Sequence, residues 1–312
     1  MTDAALHATR CAICGTEGNA TELYPANFGP EAFSPETFSA RRLPDRIHYR
    51  MVRCNRCGLV RSDPVADAEL AAKLYRQSSF DYSREVDSLA RTYGSYLARL
   101  ERYGAAKGSL LEIGCGNGFF LERARAQGYQ DVRGVEPSAR AIGLAPGDIR
   151  GRIVCAMMGP GLFPDASFDA ICLFQVLDHV FDPAGAIETC FQMLKPGGFI
   201  LALNHNVEAL SARILKERSP IVDIEHTYLY SPASMRRLFS KCGFEVKEVG
   251  TVRNLYSLGY LARVVPFPGF LKKALLATLG GTGVGRLRVK VPLGNLYMIG
   301  RKPASLTGGI CC

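Results

Sequence analysis

The stretch that decides the fold is SLLEIGCGNGFFLERARAQG, residues 109–128. Its apolar start predicts a buried strand, its glycines predict a tight turn, and the apolar periodicity that follows predicts an amphipathic helix. Gly114, Gly116 and Gly118 allow the backbone to turn sharply and allow a ligand to approach where a Cβ would clash. By itself such a turn is a weak indicator, because ordinary turns and dinucleotide sites share it.

The order of the following motifs makes the prediction more specific. A second strand, DVRGVE, ends in Glu136, 24 residues after Glu112, where a carboxylate can accept both ribose hydroxyls of a nucleoside. The turn lacks the third glycine position of a dinucleotide fingerprint, so it need not hold a pyrophosphate. Next, SFDAICLFQVLDHV predicts an apolar strand ending near Gln175, and MLKPGGFILALNHN predicts a helix end, a turn and another buried strand. This alternation predicts a parallel sheet with covered faces.

These ordered motifs resemble those of class I S-adenosylmethionine (SAM) dependent methyltransferases, over residues 110 to about 249. The resemblance implies an α/β fold with a seven-stranded, mostly parallel Rossmann-like sheet, and SAM as the cofactor. The residues it implies for SAM binding are Glu112, Gly114, Cys115, Gly116, Glu136, Pro137, Met157 and Gln175. The sequence after strand three reads CAMM where many members have an acidic residue, so we expect backbone and apolar contacts from Ala156 and Met157 to adenine.

Four cysteines near the start form two matching pairs, RCAICG and RCNRCG. Two residues between thiolates let one turn aim both sulfurs at one ion, so Cys11, Cys14, Cys54 and Cys57 predict a closed tetrahedral zinc site of structural type. The glycine after each pair is expected to tolerate close backbone approach. A redox CxxC motif and a rubredoxin-like iron site are the alternatives.

The catalytic chemistry of the predicted fold needs a base near the methyl donor, since in-line methyl transfer requires an aligned and deprotonated acceptor. His179 in VLDHV and His226 in IEHTYLYSP lie at the expected carboxyl edge of the sheet. We predict His226 as the base and His179 as base or substrate contact, with Glu225 or Asp178 orienting the imidazole. The alternative for His179 is a structural hydrogen bond to the neighbouring loop.

The paired cysteines together with VLDHV and EHTYLYSP resemble bacterial nucleotide-deoxysugar C-methyltransferases and related sugar O-methyltransferases. That resemblance implies an anionic sugar-nucleotide or lipid-linked sugar as substrate in polysaccharide biosynthesis. The chain lacks the extra C-terminal domain of the C-methyltransferases, which favours O-methylation at least equally. A natural-product O- or N-methyltransferase shares every motif, and a nucleic-acid or protein binding module with a non-catalytic Rossmann core is the alternative of another class.

The net charge of +9 is confined to the C-terminal fifth, where nine Lys or Arg residues and no Asp or Glu follow Thr251. Residues 251–291 are therefore predicted to form a basic lid insertion of two short helices. Peripheral contact with an anionic membrane and plain helix packing are the alternatives.

The predicted organisation has four parts. They are a zinc-binding module at 1–62, a helical linker at 63–105, a SAM-dependent methyltransferase domain at 106–303 and a tail at 304–312. Composition predicts a cytoplasmic protein, because no signal peptide or run of about 18 apolar residues is present and most other cysteines lie in apolar runs. No nucleic-acid partner is expected.

Overall fold

The structure is a computed structural model that describes residues 6–29, 46–77, 86–259, 269–292 and 294–304, with residues 33, 34, 37, 38 and 262. Phe80 and Tyr82, which the sequence suggests could close over a ligand, lie outside the described residues, as does nearly all of the predicted tail. Among the helices of the described ranges, none is long and apolar enough to cross a membrane.

The described elements begin with five short strands, after which strands and helices largely alternate. The strands are β1 (Leu6–His7), β2 (Ala20–Tyr24), β3 (Met51–Cys54), β4 (Val60–Ser62), β5 (Val65–Ala66), β6 (Ser109–Ile113), β7 (Asp131–Glu136), β8 (Ile153–Cys155), β9 (Phe168–Phe174), β10 (Leu194–His205), β11 (Tyr228–Leu229), β12 (Glu245–Thr251), β13 (Asn254–Ser257), β14 (Arg288–Val291) and β15 (Asn295–Arg301). The helices are α1 (Ala68–Gln77), α2 (Val86–Leu97), α3 (Phe119–Ala126), α4 (Ala139–Gly143), α5 (Gly147–Arg150), α6 (Pro183–Met193), α7 (Leu210–Leu215), α8 (Pro232–Lys241) and α9 (Gly269–Gly281). Short 3-10 helices occupy Ala98–Tyr103, Lys216–Arg218 and Val284–Arg286.

The main sheet has seven strands in the order β12-β15-β10-β9-β6-β7-β8. Strands β6 to β10 pair in parallel, and β15 runs antiparallel to both β10 and β12. The sequence-based prediction of a seven-stranded, mostly parallel Rossmann-like sheet is therefore confirmed. Because the order reverses at β6, the loops after β6 and β9 diverge at the carboxyl edge and leave the crevice where ligands bind in such sheets.

Both faces of this sheet are covered, as its continuous apolar strands require. On one face, α2 places Tyr93 against Phe174 of β9, with ring centroids 4.2 Å apart. On the other face, α6 and α8 bury Ile187, Met235 and Leu238 against the strands. Ser231 caps α8 by accepting a hydrogen bond from the Ser234 main chain, as the Ser-Pro pair predicts.

A separate four-stranded sheet has the order β11-β4-β3-β2. Strands β2, β3 and β4 belong to the N-terminal region. Strand β11 lies between α7 and α8, within the predicted methyltransferase domain. Tyr228 pairs with Arg61 and Leu229 with Val60 in antiparallel register. The N-terminal sheet is thus completed by a segment from the predicted methyltransferase domain.

The predicted lid, residues 251–291, differs in part from the expected pair of short helices. Its ends form an antiparallel pair of strands in which Asn254 pairs with Val291 and Ser257 with Arg288. One described helix, α9, follows the prolines as predicted. Val289 and Val291 suit a strand, but the paired residues lie roughly 30 to 40 positions apart, beyond the reach of a short-range pattern.

Candidate active site

The glycine turn after β6 is held by the end of β7. The main-chain N–H groups of Gly114 and Cys115 both donate to the carbonyl of Val135, at 2.8 and 3.1 Å. Gly114 has a φ of +70°, and a Cβ on it would lie 2.7 Å from Cγ2 of Val176. A side chain at this position is therefore excluded by both conformation and space.

Glu136 at the end of β7 joins the turn to the next loop. Its Oε2 accepts a hydrogen bond from the Gly116 main chain at 2.9 Å, and its Oε1 accepts one from the Ser138 main chain at 2.9 Å. Burial raises the pKa of Glu136 against the opposing effect of these two N–H groups. Each oxygen keeps a lone pair for a further donor, so the geometry fits a ribose diol.

Glu112 lies beside this pair, with only 2% of its surface exposed. Its Oε2 is buried and accepts no hydrogen bond within the part of the chain that the structure describes. Burial, and then the charge of Glu136, raise the pKa of Glu112 well above its usual value. Two buried carboxylates with an unmet acceptor fit a cationic ligand, and SAM carries an amino group and a sulfonium.

The remaining residues predicted for SAM are placed around the same edge. The Cys115 thiol turns inward, and a Cβ on Gly134 would lie 2.5 Å from its sulfur, so only its main chain faces the turn. Pro137 follows Glu136 directly, while Met157 is half exposed on the loop after β8. Gln175 has a φ of +58° and a buried Oε1 that lacks a partner among the described residues. A strained main chain and an unmet acceptor are typical of functional positions.

A histidine cluster lies where β9 and β10 end. Asp178, fully buried, accepts hydrogen bonds from Nδ1 of His205 and from Nδ2 of Asn204, the latter at 2.9 Å. The ring of His226 lies 4.8 Å from that of His179 and 4.6 Å from that of His205, between centroids. The fold therefore brings together both predicted histidines and a third that the prediction omitted.

The electrostatics of the cluster follow from burial and charge. Burial would raise the pKa of Asp178, but the charge and hydrogen bond of His205 hold it well below its usual range. Burial, and then the charges of His205 and His179, lower the pKa of His226 to about 3. Burial also lowers the pKa of His179, so both of these imidazoles are neutral at ordinary pH.

Glu225, predicted to orient the base, directly precedes His226, and its main-chain N–H donates to Oδ1 of Asp223 at 3.2 Å. Nδ1 of His226 instead donates to the carbonyl of Ile221 at 2.9 Å. The sequence signal for the omitted His205 is its position directly after a buried strand in LALNHN, the same argument that selected His179.

The four predicted ligand cysteines form one cluster. Their sulfurs all lie within 4.8 Å of one another, with 3.2 Å between Cys11 and Cys57 and 3.5 Å between Cys14 and Cys54. Four sulfurs at about 2.3 Å from a tetrahedral ion are about 3.8 Å apart, so the cluster fits such an ion.

Both CxxC turns have the same main-chain structure. Gly15 donates to the carbonyl of Cys11 at 2.8 Å, and Gly58 to that of Cys54 at 2.9 Å. The two glycines have φ values of +71° and +76°, and an added Cβ would contact nothing within 4 Å. The reason expected for these glycines, close backbone approach, is therefore wrong: the left-handed conformation requires them.

Helix α8 attaches this cysteine cluster to the catalytic part of the chain. Arg237 donates to the carbonyl of Cys57 and Lys241 to that of Ala12, each at 3.0 Å. Next to them, the Tyr228 hydroxyl donates to the carbonyl of Arg10 at 2.9 Å. Cys11 and Cys54 also share one apolar core with Met235 and Leu238. The cysteine cluster is thus packed on the element that follows the histidine segment.

Comparison with known proteins agrees with this architecture. Residues 82–249, just over half of the chain, match the family described as methyltransferase domain. The chain therefore belongs to the SAM-dependent methyltransferases of class I.

Curated relatives and a solved structure give further comparisons. A ubiquinone biosynthesis O-methyltransferase of Caulobacter vibrioides is 34% identical over 37% of this chain and 50% of its own length. One from Pseudomonas aeruginosa is 30% identical over 48% of this chain and 69% of its own length. The crystal structure of a SAM-dependent methyltransferase from Archaeoglobus fulgidus is 16% identical over 76% of this chain and all of its own, with a TM-score of 0.45.

Proposed function

We propose that the protein transfers the methyl group of SAM to a hydroxyl oxygen of a small anionic molecule, with His205 as the general base. The Asp178–His205 pair carries this proposal. Asp178 accepts from Nδ1 of His205, which fixes the ring and leaves Nε2 for the proton of the acceptor. The side chain of His205 is 23% exposed, so the ring is open to an incoming substrate.

The chemistry asked of the chain is alignment and proton removal. The acceptor oxygen forms a bond to the methyl carbon, the carbon–sulfur bond breaks, and its electron pair stays on sulfur. The hydroxyl proton moves to His205, and the Asp178 carboxylate stabilises the imidazolium. Glu112 and Glu136 hold the cofactor through its cationic and ribose groups.

His226 and His179 have other roles in this proposal. His226 is 7% exposed, and its Nδ1 is already used by Ile221. The geometry thus favours His205 over the predicted His226 as base. His179 and Glu225 remain candidates for contact with the acceptor.

A cavity lined in part by the segment that precedes His226 supports an anionic acceptor. It has a volume of about 270 Å³ and lies between the N-terminal sheet and residues 207–222. Three cations, Arg53, Arg213 and Lys216, contribute to its wall. Ile221 also lines it, and the carbonyl of Ile221 accepts the hydrogen bond from His226, so one residue links the cavity wall to the histidine cluster. We propose that it holds the anionic part of a nucleotide-linked or lipid-linked sugar of polysaccharide biosynthesis.

The support for each part of the proposal differs. The names of the relatives, ubiquinone biosynthesis O-methyltransferases, support oxygen as the acceptor atom. The paired cysteines and the cationic cavity support the sugar. Zinc in the cysteine cluster, the basic lid at 251–291 and a cytoplasmic location belong to the same proposal. The lid is anchored on α2 by an ion pair of 2.9 Å between Arg288 and Asp87.

The experiment uses SAM with a labelled methyl group and a panel of nucleotide sugars, sugar phosphates and phenols, with products identified by mass. We expect an added methyl on a sugar hydroxyl. Methylation of phenols alone would refute the sugar acceptor and leave the O-methyltransferase. Failure of the protein to bind SAM in a calorimeter would refute the enzyme altogether and favour a binding module.

A further inference from the structure

The histidine cluster contains a second set of metal ligands, apart from the four cysteines. One ligand atom each from Asp178, His179 and His226 lies within 4.8 Å of the others. Ligands about 2.1 Å from an ion are separated by about 3 to 4 Å in tetrahedral or octahedral geometry, so small rotations of these side chains suffice to bind one.

A hydrogen bond prepares His226 for this role. Nδ1 of His226 donates to the Ile221 carbonyl at 2.9 Å, which leaves Nε2 as the ligand atom. The ring of His179 lies 4.8 Å from that of His226, between centroids. Histidines that bind metals typically donate their other N–H to a carbonyl or carboxylate in this way.

The carboxylate is oriented just as firmly. Asn204 donates to one oxygen of Asp178 at 2.9 Å and His205 donates to the other. Each oxygen keeps a lone pair for an ion. Two imidazole nitrogens and one carboxylate oxygen suit borderline divalent ions, whereas four thiolates select softer ones.

We propose that Asp178, His179 and His226 bind one divalent ion of the first transition row, with its remaining positions open to water or the acceptor. The site itself stands on this ligand geometry. Its catalytic role rests on the proposed function: the ion polarises the acceptor hydroxyl, and His205 takes the proton. Three protein ligands with open positions are typical of catalytic metal sites.

The test titrates Mn²⁺ into the full chain after the cysteine cluster has been loaded with zinc and loosely bound metal removed by chelation. Mn²⁺ is chosen because it prefers oxygen and nitrogen ligands to thiolates. Loss of the free Mn²⁺ signal in electron paramagnetic resonance reports binding without any use of activity. We expect one Mn²⁺ per chain, in addition to the zinc.

Matched variants assign the site. His226→Gln and His179→Gln should raise the Kd for Mn²⁺ roughly tenfold or more. His7→Gln, at an exposed position on β1, should leave it unchanged. Thermal unfolding and zinc content check that each variant is folded, and His179, which is partly exposed, carries the test if His226→Gln unfolds.

The outcomes separate this proposal from the proposed function. The metal site would be overturned if the wild-type protein bound neither Mn²⁺ nor Co²⁺ outside the cysteine cluster. It would also be overturned if both glutamine variants bound Mn²⁺ with the same Kd as wild type. Full methyl transfer in excess chelator would leave the methyltransferase intact and remove the ion from catalysis. Specific Mn²⁺ binding by a protein without any affinity for SAM would support the metal site and refute the methyltransferase function.

Discussion

The hydroxyl of Ser62 donates a hydrogen bond to the main-chain carbonyl of His226 at 3.0 Å, across 164 residues of sequence. In the same place the Ser62 main chain donates to Thr227 at 2.9 Å. Thr227 in turn donates from its main chain to the carbonyl of Asp178 at 2.7 Å. The N-terminal sheet, the histidine segment and the loop after β9 are therefore joined by one short chain of hydrogen bonds.

Loss of the proposed zinc from the cysteine cluster should destabilise the whole protein. Cys54→Ser removes one of four predicted ligands from a cluster that shares an apolar core with α6 and α8. We expect a fall in the free energy of unfolding of about 4 kcal/mol or more, since the proposed ion would help to hold both turns together. Denaturant unfolding with metal analysis measures it. Cys155→Ser, at an exposed position, is the control and should change neither quantity.

Glu136→Ala should abolish SAM binding. The change removes the acceptor for the ribose and leaves the main-chain N–H groups of Gly116 and Ser138 without their partner. Loss of two charge-assisted hydrogen bonds weakens binding roughly a hundredfold or more. Calorimetry with SAM measures the affinity. Glu122→Ala, exposed on α3, should bind like wild type, and an unchanged affinity in Glu136→Ala would remove this residue from the cofactor site.

His205→Ala should slow methyl transfer by roughly 10² to 10⁴-fold while SAM affinity stays unchanged. His205 lies at the end of β10 and is paired with Asp178. In the proposed mechanism this pair acts on the acceptor and not on the adenosine of SAM. Single-turnover rates with the identified acceptor measure it. His226→Ala should also spare SAM binding and slow turnover. If its rate fell while His205→Ala kept wild-type activity, the base would be His226, as the sequence predicts.

Stability towards acid should depend on Asp169 of β9. Burial alone would raise the pKa of Asp169, but Lys195 at 2.8 Å and the Ser109 main chain at 2.7 Å outweigh it and lower the pKa. A carboxylate with a lowered folded-state pKa stabilises the protein above its unfolded pKa of about 3.9, and this stabilisation is lost as the pH falls through the folded value.

Asp169→Asn should therefore lower the free energy of unfolding at pH 7 by about 1 to 2 kcal/mol and make it less sensitive to acid below about pH 4. Urea unfolding at both pH values measures the change. Asp165→Asn at an exposed position is the matched control. If Asp169→Asn and wild type lost stability equally towards acid, the Asp169 carboxylate would not be the source of this pH dependence.

The sheet could be predicted from sequence because most of its strands are local and apolar. DVRGVE becomes β7, and the glycine turn lies between β6 and α3 as expected. The four cysteines were predictable for a similar reason, since each CxxC pair is a local turn with its own glycine.

The parts that escaped prediction depend on partners distant in sequence. The pairing of β11 with β4 joins segments about 170 residues apart. The two-residue strand Tyr228–Leu229 is too short to show a pattern that predicts this pairing. The proposed base also depends on a contact between distant residues. Asp178 accepts a side-chain hydrogen bond from His205 across 27 residues, and the sequence does not show this contact, while His226 stays the base predicted from sequence.

The pairing of β11 with β4 has a consequence for attempts to express part of the protein alone. A fragment starting after Ser62 would leave the main chain of Tyr228 and Leu229 as a bare β-edge, next to apolar surface that β4 normally covers. Such a fragment would be prone to aggregate by pairing with its own copies. The segment that carries the four cysteines is therefore expected to fold together with the methyltransferase part of the chain, and not as a separate domain.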